Sequence, residues 1–327
     1  MSPARTLLRG QHLPLIVTAM ILIALFGATA VSYSGFFSAR VMVGLFADNA
    51  FLGIAAIGMT LVIFSGGIDL SIGAVIGFTS IFTATLISGS GFPPAVAWTL
   101  ALLAGAALGG GMGTLIHVFR LPPFLITLAG MFLARGAGFW LNTESVGISH
   151  PRYEALANFE LAVGDAVRVP VAALLFASVV AAGYVIAHHT RFGRTLLAIG
   201  GSEQSALLMG LPVGAAKIAV YTLNGACAAL AGIVATLYTG SGNPSMGIGL
   251  ELDAIAVVVI GGTLLSGGRG HVVGTLLGVL IFGTIQAAIL FDGRLSSWWM
   301  RIVVGALLLA FILLQRLLVR GAVRSRN

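Results

Sequence analysis

Ser65-Gly66-Gly67-Ile68-Asp69-Leu70-Ser71 recurs further along the chain as Ser266-Gly267-Gly268-Arg269-Gly270-His271-Val272. Each copy lies between two long apolar runs. Each continues into the same small-residue spacing, Gly73 and Gly77 after the first, Gly274 and Gly278 after the second. A single Ser-Gly-Gly says little. Two copies with matching onward spacing predict a membrane protein of two related halves, each with a glycine-rich join between spans.

Composition sets the solvent. The chain is 58% hydrophobic and 8% charged, against about 25% charged residues in a soluble domain. A water-soluble protein of this length must cover its core with polar surface; this one is built for lipid, as an all-α integral membrane protein. Glycine is also abundant, at 45 of 327 residues. In a bilayer, glycine lets helices approach closely, and Gly105, Gly109 and Gly113 form a small-xxx-small ridge for that purpose. The lone Cys227 excludes a disulfide framework. The sole lysine, Lys217, follows Ala216, so the chain lacks a Gly-Lys-Ser/Thr phosphate cradle and does not hydrolyse nucleotide by that route.

Runs of about 20 apolar residues mark membrane spans. Ten are read, near 13–33, 49–65, 70–89, 95–118, 122–141, 169–187, 216–238, 248–266, 271–291 and 297–318. The second and eighth are short or polar at one end and read as broken or tilted. With both termini cytoplasmic, the inner segments hold Arg5, Arg9, Arg120, Arg191, Arg194, Lys217, Arg269, Arg316, Arg320, Arg324 and Arg326. The outer loops hold Arg40, Arg152, Arg168 and Arg294. That bias follows the positive-inside rule. It also accounts for the net charge of +7 without a nucleic-acid partner. Within this single domain of residues 1–327, two loops stand out. The outer loop, 142–168, is long enough for a short helix on the surface or in the mouth. The inner loop, 188–215, places apolar residues at helical spacing with Glu203 and Gln204 on another face. A half-buried helix there needs a soluble partner.

No metalloprotease or intramembrane serine-protease motif is present. His188 and His189 are adjacent and so fall on different helix faces, which disfavours a metal pair. His12, His117 and His271 sit at span ends as interfacial residues. Polar groups in apolar surroundings are the better lead, because they are costly and line pathways or pair with one another. Asp69 sits in the first glycine join, Glu251 and Asp253 open the eighth span, and Arg135 lies within the fifth, where it can pair with an acid and lock helices. Asn49 and Asn224 can face a sugar or a neighbouring helix. Asn49, Asp69, Asn224, Glu251 and Asp253 are therefore the candidate substrate pathway. Leu265-Ser266-Gly267-Gly268 mimics the signature of transport ATPases, but it joins two apolar spans and its partner copy has no nucleotide context.

Several stretches resemble the permease subunits of sugar ABC importers in the ribose, xylose and arabinose branch. They are 49–54, 65–71, Ile126-Thr127-Leu128-Ala129-Gly130-Met131, Arg191-Phe192-Gly193-Arg194 with Ala198-Ile199-Gly200-Gly201, and 249–256 leading to 261–268. His150-Pro151 with Tyr153, and Asp292-Gly293 with Ser296-Ser297-Trp298-Trp299, look most like a galactofuranose permease. The resemblance implies about ten helices per subunit in the bacterial inner membrane and a dimeric pore, with a second, different permease as partner or a second copy. It also implies a periplasmic sugar-binding protein outside and separate ATPase subunits inside, which bind the ATP; this chain needs no cofactor. The loop after Arg191-Phe192-Gly193-Arg194 would dock on the ATPase, through Arg191, Gly193, Arg194, Glu203, Ala206 and Gly210. Gly210 lies seven residues after Glu203, one more than in the Glu-Ala-Ala-x-x-x-Gly pattern of other importers. The implied mechanism is alternating access. The competing readings are an ion-coupled secondary sugar transporter, and an ABC permease for another sugar such as ribose or xylose.

Overall fold

In the computed structural model, residues 13–164, 167–294 and 298–324 are described, with side chains from Pro14 to Phe311 and at Leu313. Arg5, Arg9, His12, Asp165, Ser296, Ser297 and Arg326 lie outside the described residues, as do the side chains of Arg316, Arg320 and Arg324. The chain forms α1 (Leu13–Ser32), α2 (Ala39–Asp48), α3 (Ala50–Phe64) and α4 (Ile72–Ala84, with a π turn at Thr85–Gly89). These are followed by α5 (Pro94–Val118) and α6 (Pro123–Leu141). Strand β1 (Val146–Gly147), α7 (Pro151–Ala157) and the hairpin β2 (Glu160–Val163) and β3 (Val167–Pro170) come next. Then come α8 (Val171–His189), α9 (Arg191–Gly201), α10 (Glu203–Leu208), α11 (Val213–Thr239), β4 (Ser241–Gly242), α12 (Leu250–Ile260), α13 (Val272–Asp292) and α14 (Trp298–Arg324).

Seven described helices are long and apolar enough to cross a membrane, and the bent pair α2–α3 makes eight. This is the expected all-α membrane protein, and the two stretches read as broken or tilted account for most of the difference from ten. The second is the pair α2–α3, which turns through 57° at Asn49. The eighth, 248–266, yields only the 11-residue α12, because Gly261 and Gly262 (φ 89°) end the helix where hydropathy alone would continue it. The last helix, α14, is 27 residues long and is apolar over Trp298–Phe311.

The core is organised around α11, which packs on α5, α3 and α4. Its closest approach is along the predicted glycine ridge. A side chain at Gly105 would meet the Gly225 carbonyl, one at Gly109 the Tyr221 carbonyl, and one at Gly113 the Ile218 backbone. The same device joins α12 to α13, where Gly274 and Gly278 lie on the Gly261 and Val257 carbonyls. With no hydrophobic drive between helices in lipid, such backbone contact supplies the packing that holds them.

The two halves correspond as α3–join–α4 and α12–join–α13. The long loop forms the short helix α7 and is fastened to the second half. Strand β1 pairs with β4, Ile148 N–H donates to the Gly240 carbonyl (2.9 Å), and buried Tyr153 donates to Thr236 Oγ1 (2.7 Å). Burial raises the Tyr153 phenol well above its ordinary range.

Candidate functional site

The two glycine joins meet. In the first, the Ser65, Gly66 and Gly67 amides donate back to the Val62 and Ile63 carbonyls, with Gly66 at φ 79°. In the second, Leu264 N–H donates to the Arg269 carbonyl (3.0 Å) and Gly267 N–H to the Leu264 carbonyl (2.9 Å), with Gly267 and Gly268 at φ 82° and 75°. Gly268 N–H crosses to the Phe64 carbonyl at the end of α3. A third backbone closes the seam: a side chain at Gly200, near the end of α9, would strike the Phe64 carbonyl and the Gly268 amide. The last turn of α9, within the 188–215 loop, is thus pressed against both halves at once. The Gly267 and Gly268 amides are already used inside the protein, so the two glycines of Leu265-Ser266-Gly267-Gly268 serve a structural turn.

Beside this seam lies a buried polar cluster. Asp69 accepts from Ser71 N–H (2.8 Å), Ser71 Oγ (2.6 Å) and Asn224 Nδ2 (2.7 Å). Asp69 and Asn224 are 1% and 0% exposed. Two of the five pathway candidates are therefore brought into direct contact, tying the first join to α11, and in this conformation neither faces open space. Asn224 Oδ1 and the neighbouring Tyr221 hydroxyl have no hydrogen-bond partner among the described residues. Nearby, the buried hydroxyls of Thr60 on α3 and Thr275 on α13 bond at 2.7 Å. His188 stacks on His271, ring centroids 4.1 Å apart. Both rings accept backbone amides at the start of α13, His188 Nε2 from Val272 and His271 Nδ1 from Val273.

The other three pathway candidates lie elsewhere. Asn49 sits at the α2–α3 bend, donates to the Leu45 carbonyl (3.0 Å) and packs against Gly283 of α13. Glu251 and Asp253 are half-buried in the first turn of α12, where their charge suits the helix N-terminus. The expected acid–Arg135 ion pair is not formed. Arg135 Nη1 instead donates to the Pro244 and Met246 carbonyls (2.5 and 2.9 Å), because the non-helical stretch after β4 leaves those acceptors without helical partners. Glu251 Oε2 is buried against Gly73 with no hydrogen-bond partner among the described residues.

In the 188–215 loop, Thr190 caps α9 by accepting from Gly193 N–H, and Gly193 packs on the Ala187 carbonyl. Arg191 and Arg194 are exposed and border a cavity of about 770 Å³ shared with Phe192, Leu211, Pro212 and Ala216. Glu203 pairs with Lys217 at 2.7 Å. Ala206 is fully buried, and Gly210 (φ 72°) closes α10 as the Leu211 amide returns to the Ala206 carbonyl. The feature that sequence reasoning missed is the outward tip of this loop. Leu207, Leu208 and Met209 are 56%, 84% and 66% exposed. Three adjacent apolar residues look like core in a sequence; only the burial of Ala206 shows that the helix turns them outward.

A family model described as branched-chain amino acid transport system / permease component matches residues 41–312. The chain is 48% identical over 306 residues to the inner membrane ABC transporter permease protein YjfF of Escherichia coli K12, covering 94% of this chain and 92% of that protein. It is 41% identical to the fructose import permease protein FruG of Bifidobacterium longum, covering 83% and 81% of the two chains. Identity to the ribose import permease protein RbsC of Escherichia coli K12 is 35%, over 91% of each chain. No solved structure matches the chain. The chain belongs to this ABC-transporter permease family, and is a transport component rather than an enzyme.

Proposed function

We propose, with membership of that family as the premise, that the chain is the membrane permease subunit of an ATP-driven importer carrying a monosaccharide from periplasm to cytoplasm. Two relatives named for fructose and ribose import support the sugar class. Within it, the resemblance at His150-Pro151, Tyr153 and Asp292-Gly293 favours galactofuranose. The arginine bias supports a cytoplasmic position for both termini and for the Arg191–Gly201 end. The partners are an ATPase on the cytoplasmic face, a periplasmic binding protein, and a second permease, a different chain in preference to a second copy.

The observation that carries the reading is the glycine seam. α9 touches the joins of both halves through Gly200, while α10 presents Leu207, Leu208 and Met209 to the cytoplasm. A force applied to that apolar tip by a closing ATPase pair reaches both halves through backbone contact, with no side chain between to absorb it. The halves then tilt together and alternate access between the two faces. Asp69 and Asn224 hold the first join to α11 during that movement.

The test is sugar uptake by proteoliposomes holding the complete complex. Uptake that requires ATP and the binding protein supports the reading. Uptake in ATP-depleted vesicles driven by a proton or sodium gradient would overturn it in favour of an ion-coupled carrier. Competition among galactofuranose, ribose and xylose settles the sugar.

A further inference from the structure

Between α11 and α12 the backbone is not helical, and it runs back along α4. Gly242 lies on Ser80 and Ala84, the Pro244 and Met246 carbonyls on Gly77, and the Gly247 carbonyl on Gly73. From Ala84 to Gly73 is about 16 Å along a helix axis, roughly half the hydrocarbon thickness of a bilayer. The segment is fixed at that depth by specific bonds. Ser80 Oγ donates to the Asn243 carbonyl (3.0 Å), Arg135 Nη1 holds those of Pro244 and Met246, and Ser245 N–H donates to Asn243 Oδ1 (2.7 Å).

This segment leaves polar groups open beside the apolar Ile248, which is 62% exposed. Ser245 is exposed, Asn243, Arg135 and Glu251 are half-buried, and Glu251 Oε2, buried against Gly73, has no hydrogen-bond partner among the described residues. Irregular backbone and ionisable groups do not face hydrocarbon at membrane depth; they face protein or a water-filled cavity. On α6, by contrast, the neighbours of Arg135 are the exposed Phe132 and Leu133, apolar as a lipid face should be. The chemistry left available is a carboxylate acceptor, a hydroxyl and an amide, with an acid and a base that offset each other. That set suits a neutral ligand rich in hydroxyls. It suits an amino acid less well, because the Arg135 Nη1 that would clamp a carboxylate already bridges two carbonyls.

We infer that Asn243, Ser245 and Glu251, on the segment held by Arg135, form the station where the translocated monosaccharide is bound within the membrane. The inference rests on the sugar-importer reading and adds the site to it.

The experiment uses the complete complex in nanodiscs, where both faces are open to water. Cys227 is part-buried, so Ser245→Cys introduces an exposed thiol. A charged methanethiosulfonate reagent is expected to modify Ser245→Cys much faster than Leu133→Cys, and galactofuranose or ribose to slow that reaction while leucine does not. Glu251→Gln, which keeps the shape, is expected to raise the half-saturating sugar concentration for uptake about tenfold, the loss of one hydrogen bond to a charged group, with the ATPase still bound. A Ser245→Cys thiol inert to the charged reagent, modified without protection by any sugar, or protected by leucine overturns the station. If such a complex still imports sugar, the importer reading stands and only the site fails; if the unmodified complex imports no sugar, both fail.

Discussion

The Gly268 amide donates to the Phe64 carbonyl across 3.1 Å, so the join of the second half hydrogen-bonds directly to the end of the helix that opens the join of the first. The bond is possible because no side chain intervenes: Gly66, Gly267 and Gly200 are mutually in backbone contact. Two related halves joined this way cannot move independently at that point. A displacement of α9 is therefore felt by both.

Gly267→Ala tests the seam. Its φ of 82° is unfavourable for alanine, and the new methyl would meet the Gly66 backbone. The expected cost is on the order of 1–3 kcal/mol, seen as a lowered melting temperature of the purified permease. Gly201→Ala is the matched control, since nothing lies within 4 Å of that methyl; it should melt at or slightly above the unmodified protein. Equal melting of the two variants would remove the seam from the account.

Asp69 and Asn224 allow a sharper test, because exchange preserves their hydrogen bond. Asn224→Asp alone buries two acids side by side and should be severely destabilising, by about 3 kcal/mol or more. Asp69→Asn alone should cost about 1–3 kcal/mol, as donors from Ser71 and Asn224 lose a charged acceptor. The double exchange should recover most of the stability, with a coupling energy above 0.5 kcal/mol in the cycle. Recovered stability with recovered uptake marks the pair as a lock. Recovered stability without uptake would return both residues to the sugar pathway.

How much of this was legible follows from range. The glycine joins and the Gly105, Gly109, Gly113 ridge are written in local spacing, and the structure uses them as close-approach surfaces. The bend at Asn49 has no proline or glycine to announce it. The short α12 hides in a continuous apolar run, because a positive φ at Gly262 ends the helix without any change in hydropathy. Asp69 and Asn224 were each recognisable as costly polar groups, yet 155 residues separate them and no spacing rule connects them. Arg135 misled in a different way: an acid was the obvious partner, and backbone carbonyls in an irregular segment cannot be read from side-chain types.

The closure at the other end depends on Tyr153. Tyr153→Phe removes one bond to Thr236, whose own hydroxyl already donates to the Ile233 carbonyl (2.6 Å). No buried donor is orphaned, so the loss should be about 1 kcal/mol. The raised phenol fixes the sign of the pH effect. Its contribution is complete below the ordinary tyrosine pKa of 10.0 and is lost as pH rises above it. Melting curves of the unmodified protein and Tyr153→Phe should therefore stay apart from pH 6 to 9, taken as roughly neutral, and converge in alkali. A constant gap through pH 11, about one unit above that value, would exclude ionisation of this phenol from the transition.

Leu208 is the most exposed of the three apolar residues at the tip of α10, and Glu203 is tied down beside it by Lys217. The two positions should separate folding from docking. Leu208→Asp removes no internal packing, so the permease should melt within about 0.5 kcal/mol of the unmodified protein. If the tip is the ATPase contact, a charge buried at its centre should cost at least about 2 kcal/mol of association, a loss of roughly thirtyfold, read as the ATPase retained on the affinity-purified permease. Glu203→Gln breaks a partly exposed ion pair and should change stability by less than about 1 kcal/mol, with the ATPase still retained. Retention of the ATPase by Leu208→Asp would place the contact elsewhere on the cytoplasmic face, with the cavity bordered by Arg191 and Arg194 as the next surface to substitute.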